Sequence, residues 1–374
     1  MHVVDDRPCP RPLSVVIAGG GTGGHLFPGI AVAGEFASRH PDSRILFVGA
    51  GRPLERDALA RAGFPLRTIA IEGIKGRGML AKLRVLLKIP AAICRSARIL
   101  ADVGADLMVG MGGYAAGPVA VAARMRSIPV VLCEQNTVPG ITNRMLLPLA
   151  RRMYVSFENT VGRIDPRKWR YTGNPVRREI RAAADVGDKR ANTFTVLIVG
   201  GSQGAHAINM TMVDALSHLQ RPERLRIVHQ TGTQDCDEVT RAYRQAGVRA
   251  EVQAFFHDMA ACYRQADVVV CRAGATTVAE LTVLGKAAVL IPYPFAADNH
   301  QERNAETLVT RGAAIMIRER NLTGSDLARH LEHLAETPDQ LAAMAGRSRT
   351  LGKPEAAKTI VDDCYQLVGD HVCT

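Results

Sequence analysis

A short apolar run followed by a glycine-dense turn and a helical pattern occurs twice in this chain. Residues 14–18 (SVVIA) precede the turn GGGTGGH at 19–25, and about 180 residues later the run at 195–199 precedes GGSQGAH at 200–206. A strand that continues through such a turn into a helix is the first element of a doubly wound sheet. The repetition predicts two similar doubly wound domains that face each other.

Alternating strand and helix patterns follow each turn, which predicts α/β domains with parallel sheets covered on both faces. We expect an N-terminal domain at 1–172, a connection near 171–175, a C-terminal domain at 173–353 and a last helix at 354–368 that packs back on the first domain. Strands are predicted at 45–48, 66–71, 107–109, 130–133 and 153–155 in the first domain, and at 225–229, 250–255, 267–271, 287–291 and 313–317 in the second.

The composition is typical of a cytosolic globular protein. The chain has 374 residues, enough for two domains, and its eight cysteines are scattered without a C-x-x-C pair. Several lie in apolar runs, so we predict small buried side chains in a reducing compartment rather than disulfides or zinc ligands. The N-terminus lacks the apolar core of a signal peptide. The longest uncharged run, 107–123, is too short and too rich in glycine and proline to cross a bilayer.

The positive charge of the chain is confined to its N-terminal half. Residues 1–175 contain 24 Lys and Arg against 12 Asp and Glu, whereas residues 176–374 contain 23 against 24. Residues 73–101 carry seven basic and no acidic side chains, interleaved with apolar ones. This combination favours an anionic membrane surface as a partner; the alternative is a sheet-packed helix with solvated basic residues. Nucleic acid is not expected, because there is one Trp and no recognisable nucleic-acid module.

One stretch of the second half has the features of a nucleotide site. An apolar strand at 266–271 leads to Gly274 and then to a helix start at 275–277. The unpaired N–H groups and partial positive charge of a helix start suit a diphosphate. Glu280 cannot serve the phosphate because like charges repel, but it can accept hydrogen bonds from a ribose diol. The alternative is ordinary strand–turn–helix punctuation with Glu280 on a solvated face.

The glycine turns of the first half point to an anionic substrate. In the turn at 19–25, bare backbone lets a diphosphate approach several N–H groups, and Thr22 adds a hydroxyl. His25 is expected at the helix start, where an imidazole that titrates near neutrality suits a general base on a sugar hydroxyl. Its alternative is a capping or core histidine. A second turn, 110–118, follows another strand of this domain, with close helix–strand packing as its alternative explanation.

Two other ligands are disfavoured. The turn at 19–24 meets the dinucleotide fingerprint G-x-G-x-x-G only loosely, and no acidic residue closes the second predicted strand, where Gly49 follows Val48. The Asp-x-Asp triplet 235–237, which holds Mn²⁺ in sugar transferases of another architecture, opens an amphipathic helix here, where acids complement the helix dipole. We therefore expect a helix cap there, and neither a metal nor another cofactor.

The motifs in these turns resemble those of the MurG family, whose members are UDP-N-acetylglucosamine (UDP-GlcNAc) transferases acting on undecaprenyl-diphosphoryl-N-acetylmuramoyl-pentapeptide. The resemblance spans nearly the whole chain in the same order. The motifs are GGTGGH at 20–25, GMGGY at 110–114, CEQN at 133–136, GNPVR at 173–177, GGSQGA at 200–205, DMA at 258–260, R-x-G-A-x-T-V-x-E at 272–280 and HQ-x-x-NA at 300–305.

This resemblance implies a GT-B type glycosyltransferase fold, in which the nucleotide sugar binds the C-terminal domain and the lipid acceptor binds the N-terminal one across a cleft. It implies an inverting transfer in which the acceptor's 4-hydroxyl displaces UDP, the step from lipid I to lipid II in peptidoglycan synthesis. The implied location is peripheral, on the cytoplasmic face of the bacterial inner membrane, with cell-wall or division proteins as further expected partners.

Site residues follow from the resemblance position by position, with His25 as the candidate base. Contacts to the donor sugar or its acceptor are implied for Thr22, Gly23, Gly24 and Asn136. Contacts to UDP-GlcNAc are implied for Arg177, Ser202, the backbone near Phe256, the run Ala275, Thr276, Thr277, Val278, Ala279 and Glu280, and Gln301.

The chain departs from the family pattern at Cys133, where His is common, and at 255–257, which is bulkier and more basic than expected near a uracil. We assign no family role to the extension before Leu13. Two other functions stay open: a UDP-GlcNAc 2-epimerase of the same fold, which needs no lipid acceptor, and a membrane-recruited subunit that binds sugar nucleotide without catalysis. The presence of both Glu280 and His25 argues against the non-catalytic subunit.

Overall fold

The computed structural model describes residues 11–70, 79–161, 165–184, 193–201 and 203–372, except for the side chains of 79–87 and 370–372. The chain divides into two compact units. The segment Asn136–Val138, which the sequence places in the first domain, belongs to the second unit. The first unit contains Met1–Gln135, Pro139–Pro175 and Glu355–Thr374, and the second contains Asn136–Val138 and Val176–Pro354.

The described part of the first unit is built on a parallel sheet of seven strands, apolar because helices cover both faces. The strands are β1 (Ser14–Ala18), β2 (Arg44–Gly49), β3 (Leu66–Thr68), β4 (Leu107–Gly110), β5 (Val130–Glu134), β6 (Arg152–Val155) and β7 (Trp169–Tyr171). Their order is β3-β2-β1-β4-β5-β6-β7, with Ala18 of β1 opposite Val48 and Gly110. The helices between them are α1 (Gly23–Arg39), α2 (Pro53–Ala62), α3 (Met79–Asp102), α4 (Ala116–Met125) and α5 (Ile141–Leu146).

The described part of the second unit repeats this architecture with six parallel strands in the order β10-β9-β8-β11-β12-β13. These are β8 (Phe194–Val199), β9 (Leu225–Gln230), β10 (Arg249–Gln253), β11 (Val268–Cys271), β12 (Ala287–Leu290) and β13 (Ala314–Met316). The helices are α6 (Arg178–Ala182), α7 (His206–Ala215), α8 (Cys236–Gln245), α9 (Met259–Gln265), α10 (Ala275–Leu284), α11 (His300–Val309), α12 (Gly324–Glu336) and α13 (Pro338–Thr350).

The last helix, α14 (Ala356–Val372), packs on α1 of the first unit. Its Ile360 lies fully buried in the same apolar cluster as Phe36 of α1. The Tyr154 hydroxyl of β6 donates to Asp363 Oδ2 at 2.7 Å, so a polar bond also fixes this helix on the sheet. The carboxyl-terminal helix therefore contributes to the apolar core of the amino-terminal unit.

The apolar runs predict the strands well. Each predicted strand forms, although β3 ends at Thr68, and the end of its prediction at Ile71 lies outside the described residues. The edge strand β7 was missed because it is three residues long and contains Arg170. The basic segment 73–101 forms most of α3, and its first side chains lie outside the described residues.

The prediction of buried cysteines is correct for some positions only. Cys133, Cys262, Cys271 and Cys364 are free and buried, and burial raises the pKa of the Cys271 and Cys364 thiols to about 12. Cys94, on α3, is exposed, contrary to the prediction.

Each sheet has one point where the strand order reverses, between β1 and β4 in the first and between β8 and β11 in the second. Helices that follow two such strands lie on opposite faces of the sheet, which leaves a crevice at the carboxyl ends of the strands where ligands bind. The glycine turns at 19–25 and 110–118 lie at this point of the first sheet. The turns at 200–206 and 272–277 lie at the corresponding point of the second.

Candidate active site

The turn after β1 presents His25 at the edge of the first sheet. Gly21 has φ +90°, a conformation that L side chains rarely adopt. Gly23, Gly24 and His25 form the first turn of α1, whose N-cap residue is Thr22. Thr22 Oγ1 lies 3.5 Å from His25 Nδ1. The His25 side chain is half-buried, so it does not lie in the buried core.

The turn after β4 packs directly against this ring. Gly112 and Gly113 have φ +89° and +76°. A Cβ at Gly112 would lie 3.1 Å from His25 Nε2, and a Cβ at Gly113 would lie 2.9 Å from the carbonyl oxygen of Gly20. The two turns therefore meet at distances that leave no room for side chains. Close packing, the alternative given for the second turn, accounts for these two glycines.

A residue that the sequence analysis did not single out holds the first turn. Glu55, in the first turn of α2, is 2% exposed. Its carboxylate accepts hydrogen bonds from the N–H groups of Gly21 (2.6 Å), Gly51 (2.6 Å) and Arg52 (3.1 Å). The available signal was an acid at the third position of a helix that begins with Pro53, the pattern of a capping box.

A second buried carboxylate supports the same edge at the end of β5. Glu134 is 2% exposed, and its Oε2 accepts a hydrogen bond from Asn143 Nδ2 at 2.9 Å. Asn143 Nδ2 also donates to Cys133 O at 3.0 Å and lies 3.8 Å from the position of a Cβ on Gly112. A buried charge requires such partners. Glu134 and Asn143 thus brace the surroundings of the His25 ring, a role that the sequence motif alone did not reveal.

In the second unit, the predicted helix start after Gly274 is confirmed. Gly274 is the N-cap residue of α10, which begins at Ala275 and continues through Thr276 and Thr277. The N-cap Gly274 makes no side-chain capping bond, and no acidic residue stands in the first turn of α10. The first N–H groups of a helix have no partner within the helix, and their partial positive charge attracts anions. This end of α10 therefore has the chemistry of a diphosphate site.

Glu280 faces the interior of the second unit, so its alternative placement on a solvated face is wrong. Its side chain is 8% exposed. Its Oε1 accepts from Arg177 Nη2 at 3.2 Å, and its Oε2 accepts from the Tyr263 hydroxyl at 3.0 Å. Burial raises the pKa of the Glu280 carboxyl, and Arg177 and Tyr263 oppose that rise. Each carboxylate oxygen has a second lone pair for a further donor. In the same helix Val278 is buried and Ala279 is half-buried.

The loop around Phe256 is tied to the glycine turn after β8. Gln230, at the end of β9, is 3% exposed. Its Oε1 accepts from the Phe256 N–H at 2.9 Å, and its Nε2 donates to Gly201 O at 2.9 Å. The Phe256 N–H is thus already bonded within the protein. Sequence reasoning missed Gln230 because it reads as the last residue of a buried strand.

The predicted residues Asn136 and Gln301 are both associated with α11 of the second unit: Asn136 contacts it, and Gln301 lies on it. The fully buried Asn304 of α11 donates to Asn136 Oδ1 (3.3 Å) and to Ala273 O (3.2 Å), one residue before Gly274. Gln301, in the first turn of α11, accepts a hydrogen bond from the Tyr293 N–H at 3.0 Å. Asn136 is therefore linked through Asn304 to the residue before the α10 N-cap, whereas Gln301 is bonded to the segment that follows β12. Ser202 lies outside the described residues.

The Asp-x-Asp triplet opens α8 as predicted, with Asp235 at the N-cap and Asp237 in the first turn, but no side-chain capping bond forms. The Asp235 carboxylate instead binds Asn209 Nδ2 (2.7 Å) and His206 Nδ1 (3.0 Å). Asn209 Oδ1 lies 3.0 Å from Nε2 of the fully buried His229, whose Nδ1 lies 2.8 Å from the Tyr243 hydroxyl. Across the residues that the structure describes, no three His, Cys, Asp or Glu side chains are grouped to hold a metal ion.

Comparison with protein families defines the class of the molecule. The Glycosyltransferase family 28 N-terminal domain matches residues 15–155, and the Glycosyltransferase family 28 C-terminal domain matches residues 195–360. Together with the two parallel sheets, these matches define a two-domain glycosyltransferase of the GT-B, Rossmann-like fold.

Individual relatives narrow this class. A UDP-N-acetylglucosamine–N-acetylmuramyl-(pentapeptide) pyrophosphoryl-undecaprenol N-acetylglucosamine transferase of Syntrophus aciditrophicus is 44% identical over 95% of this chain and 98% of its own length. The transferase of the same name from Geobacter sulfurreducens is 45% identical over 94% and 98%. The crystal structure of Acinetobacter baumannii MurG superimposes with a TM-score of 0.74 at 32% identity, over 94% of this chain and 98% of that one. The chain belongs to the MurG family, which confirms the resemblance seen in its motifs.

The fold is shared more widely than the family. A UDP-GlcNAc 2-epimerase from Neisseria meningitidis, solved with UDP-GlcNAc bound, has a TM-score of 0.67 at 14% identity and covers 95% of this chain and 100% of its own. At that identity the likeness shows the architecture alone. It gives no support to the epimerase alternative.

Proposed function

We propose that this chain transfers N-acetylglucosamine from UDP-GlcNAc to the 4-hydroxyl of undecaprenyl-diphosphoryl-N-acetylmuramoyl-pentapeptide, converting lipid I to lipid II in peptidoglycan synthesis. The observation that carries the proposal is the identity of 44–45%, over nearly the full length, to transferases named for this reaction. The matched domains include His25 in the first unit and the start of α10 with Glu280 in the second. Both candidate halves of the chemistry are therefore inside the region of likeness.

The second unit is the proposed donor site. The first turn of α10 (275–277) binds the diphosphate, and the Glu280 carboxylate accepts from the ribose hydroxyls while Arg177 balances its charge. The loop at Phe256, fixed by Gln230, meets the uracil, and Gln301 meets the transferred sugar. The uncapped helix end and the buried carboxylate support this assignment. Oriented N–H groups at a departing diphosphate are worth a few kcal/mol of transition-state stabilisation.

The first unit supplies the proposed general base. His25 accepts the proton of the acceptor's 4-hydroxyl while that oxygen forms its bond to the anomeric carbon of GlcNAc. The bond from that carbon to the diphosphate breaks, and UDP leaves with the electron pair. Attack from the face opposite UDP converts an α-linked donor into a β-linked product. The position of the imidazole, between Thr22 and Gly112, supports an oriented rather than a freely rotating base.

The proposal also includes peripheral binding of the first unit to an anionic membrane surface on the cytoplasmic side. Met125, Ile141 and Met145 are 74%, 61% and 73% exposed, and the helices α4 and α5 that carry them are neighbours. Arg124 and Arg144 stand beside them and are also exposed. Apolar side chains among cations suit lipid headgroups. In the described part of the chain, the helices are too short or too polar to cross a membrane.

The transfer assay uses the full chain with UDP-GlcNAc labelled in the sugar and a short-chain analogue of the lipid-linked muramoyl-pentapeptide. We expect label in the lipid product only when the acceptor is present. A control without acceptor is analysed for UDP-N-acetylmannosamine. Formation of that sugar without any lipid product would replace the proposal with the epimerase.

The membrane contact is tested by co-sedimentation with vesicles of phosphatidylglycerol and phosphatidylcholine. Changing Met125, Ile141 and Met145 together to Ser should weaken binding to the anionic vesicles without changing transfer to a water-soluble acceptor. The matched control is the triple change of the exposed, uncharged Asn159, Gln245 and Thr359 to Ser, which leaves the net charge unaltered. Equal binding by both triple variants would remove this surface from the proposal.

A further inference from the structure

One buried carboxylate ties together two neighbouring turns of the first unit. Glu55 Oε1 accepts the Gly21 N–H of the β1–α1 turn at 2.6 Å, and Glu55 Oε2 accepts the Gly51 N–H of the β2–α2 turn at the same distance. Hydrogen bonds to an ionised acceptor are about twice as strong as neutral ones. The contact spans 34 residues of sequence, so it joins segments that no local turn motif would hold.

The surrounding residues are shaped around this carboxylate. A Cβ at Gly20 would overlap Glu55 Oε1, and one at Gly49 would lie 2.9 Å from Oε2. The Arg52 guanidinium donates to Gly21 O at 3.0 Å, so both the N–H and the carbonyl of Gly21 are bonded to the start of α2. Part of the glycine density of the first turn therefore exists to admit Glu55.

These bonds change the role expected of the glycine turn at 19–25, for which the sequence predicted a diphosphate contact. The Gly19 N–H donates to Val48 O at 3.2 Å and the Gly21 N–H donates to Glu55, so neither is open to a ligand. A carboxylate at this position also repels a diphosphate, because both are anions. The N–H groups of Gly19 and Gly21 thus hold the turn that precedes α1 and do not cradle a phosphate. The start of α1 carries Thr22 and His25.

We infer that Glu55 is a positioning residue for the transfer reaction: through Gly21 it fixes the β1–α1 turn and so sets the His25 ring against the turn at Gly112. This inference rests on the proposed function, since it presumes that His25 acts on the acceptor hydroxyl. In metal sites, residues that orient a ligand through one hydrogen bond typically contribute about 10–100-fold in activity, and we expect a loss of the same order here.

The test is a double-mutant cycle between Glu55→Gln and His25→Ala in the full chain. Gln preserves shape but has one acceptor oxygen, which favours the side with two donors, the N–H groups of Gly51 and Arg52. The amide NH2 then faces the Gly21 N–H, so the bond to the β1–α1 turn is lost. We expect kcat to fall about 10–100-fold, the KM for UDP-GlcNAc to stay within about 2-fold, and the double variant to be no slower than His25→Ala alone. The matched control is Glu158→Gln, an exposed glutamate of the same unit, which should leave kcat unchanged.

Several results would overturn the inference. If the factors by which the two single changes lower kcat multiply in the double variant, Glu55 acts independently of His25. If Glu55→Gln raises the KM for UDP-GlcNAc by as much as it lowers kcat, Glu55 supports the structure in general and does not position His25. If Glu55→Gln lowers the melting temperature too far for assay, Arg52→Ala is used instead, because it removes only the exposed hydrogen bond from the Arg52 guanidinium to Gly21 O. This variant should likewise lower kcat and leave the KM for UDP-GlcNAc nearly unchanged. A wild-type chain without any transfer activity would instead refute the proposed function, before any variant is compared.

Discussion

The buried imidazole of His229 makes the second unit sensitive to acid. His229 is fully buried between Tyr243 and Asn209, and burial lowers its pKa to about 3. In the unfolded chain the same group titrates near its ordinary value of about 6.5. Between about pH 6.5 and about pH 3, the unfolded state binds a proton at this imidazole and the folded state does not. Stability is therefore lost as the pH falls through about 6.5, and the loss levels off near pH 3.

The size of the effect follows from this difference in pKa. Each pKa unit corresponds to about 1.4 kcal/mol, so lowering the pH from about 7.5 to about 5.5 should cost the second unit about 1.4 kcal/mol through His229 alone. The change His229→Gln removes the titrating group and retains an amide that can donate to Asn209. It leaves the Tyr243 hydroxyl without its partner, which costs about 1–3 kcal/mol at neutral pH. The variant should be less stable at neutral pH but should lose less on acidification.

Urea unfolding at the two pH values measures both quantities. The single Trp of the chain, Trp169, lies on β7 in the first unit, so its fluorescence reports that unit while circular dichroism reports both. The variant should move the dichroism transition and leave the Trp169 transition in place. The control is His218→Gln, because the His218 side chain is 45% exposed in the same unit. If His229→Gln and wild type lose the same free energy on acidification, the buried imidazole is not the acid-sensitive group.

Three further variants test the site. His25→Ala should lower kcat by about 10²–10⁴-fold while UDP affinity, measured by calorimetry, stays within about 2-fold; parallel losses would recast His25 as a binding residue. Glu280→Gln leaves the Arg177 charge without its buried partner, so UDP-GlcNAc binding should weaken by at least about 10-fold, and unchanged binding would remove Glu280 from the ribose contact. Gly204 has φ +80°, and in Gly204→Ala the new Cβ would overlap the carbonyl oxygen of Thr231. The free energy of unfolding measured from the dichroism transition should fall by more than about 2 kcal/mol, and a smaller loss would show that the turn can move.

The sequence predicted the elements of this fold because their signals are local. Buried parallel strands read as apolar runs, and turns at a sheet edge read as glycine clusters. The helix start at Ala275 and the position of His25 at the start of α1 follow from the same patterns. The family resemblance added the order of the site residues along the chain, and the comparisons confirmed the family.

The polar contacts that hold the site could not be predicted in this way. The Glu55 bond to Gly21, the Gln230 bridge and the pairing of Arg177 with Glu280 join residues distant in sequence, and their formation depends on packing of whole elements. A single acid in an apolar helix reads equally well as a solvated residue or as a buried partner. For Asp235, the sequence suggested a local cap, but Asn209 and His206 compete successfully for its carboxylate.

The packing of α14 on α1 has a consequence for how the protein forms during translation. Phe36 and Val32 of α1 are buried in a cluster that includes Ile360, Val361 and Cys364. When the ribosome has made the first sheet, the segment that shields these side chains has not yet been synthesised. The second unit is almost contiguous in sequence and can close earlier, since domains generally fold as units. The first unit is thus begun before the second and finished after it, and a nascent chain that stalls late exposes the apolar side of α1 to chaperones.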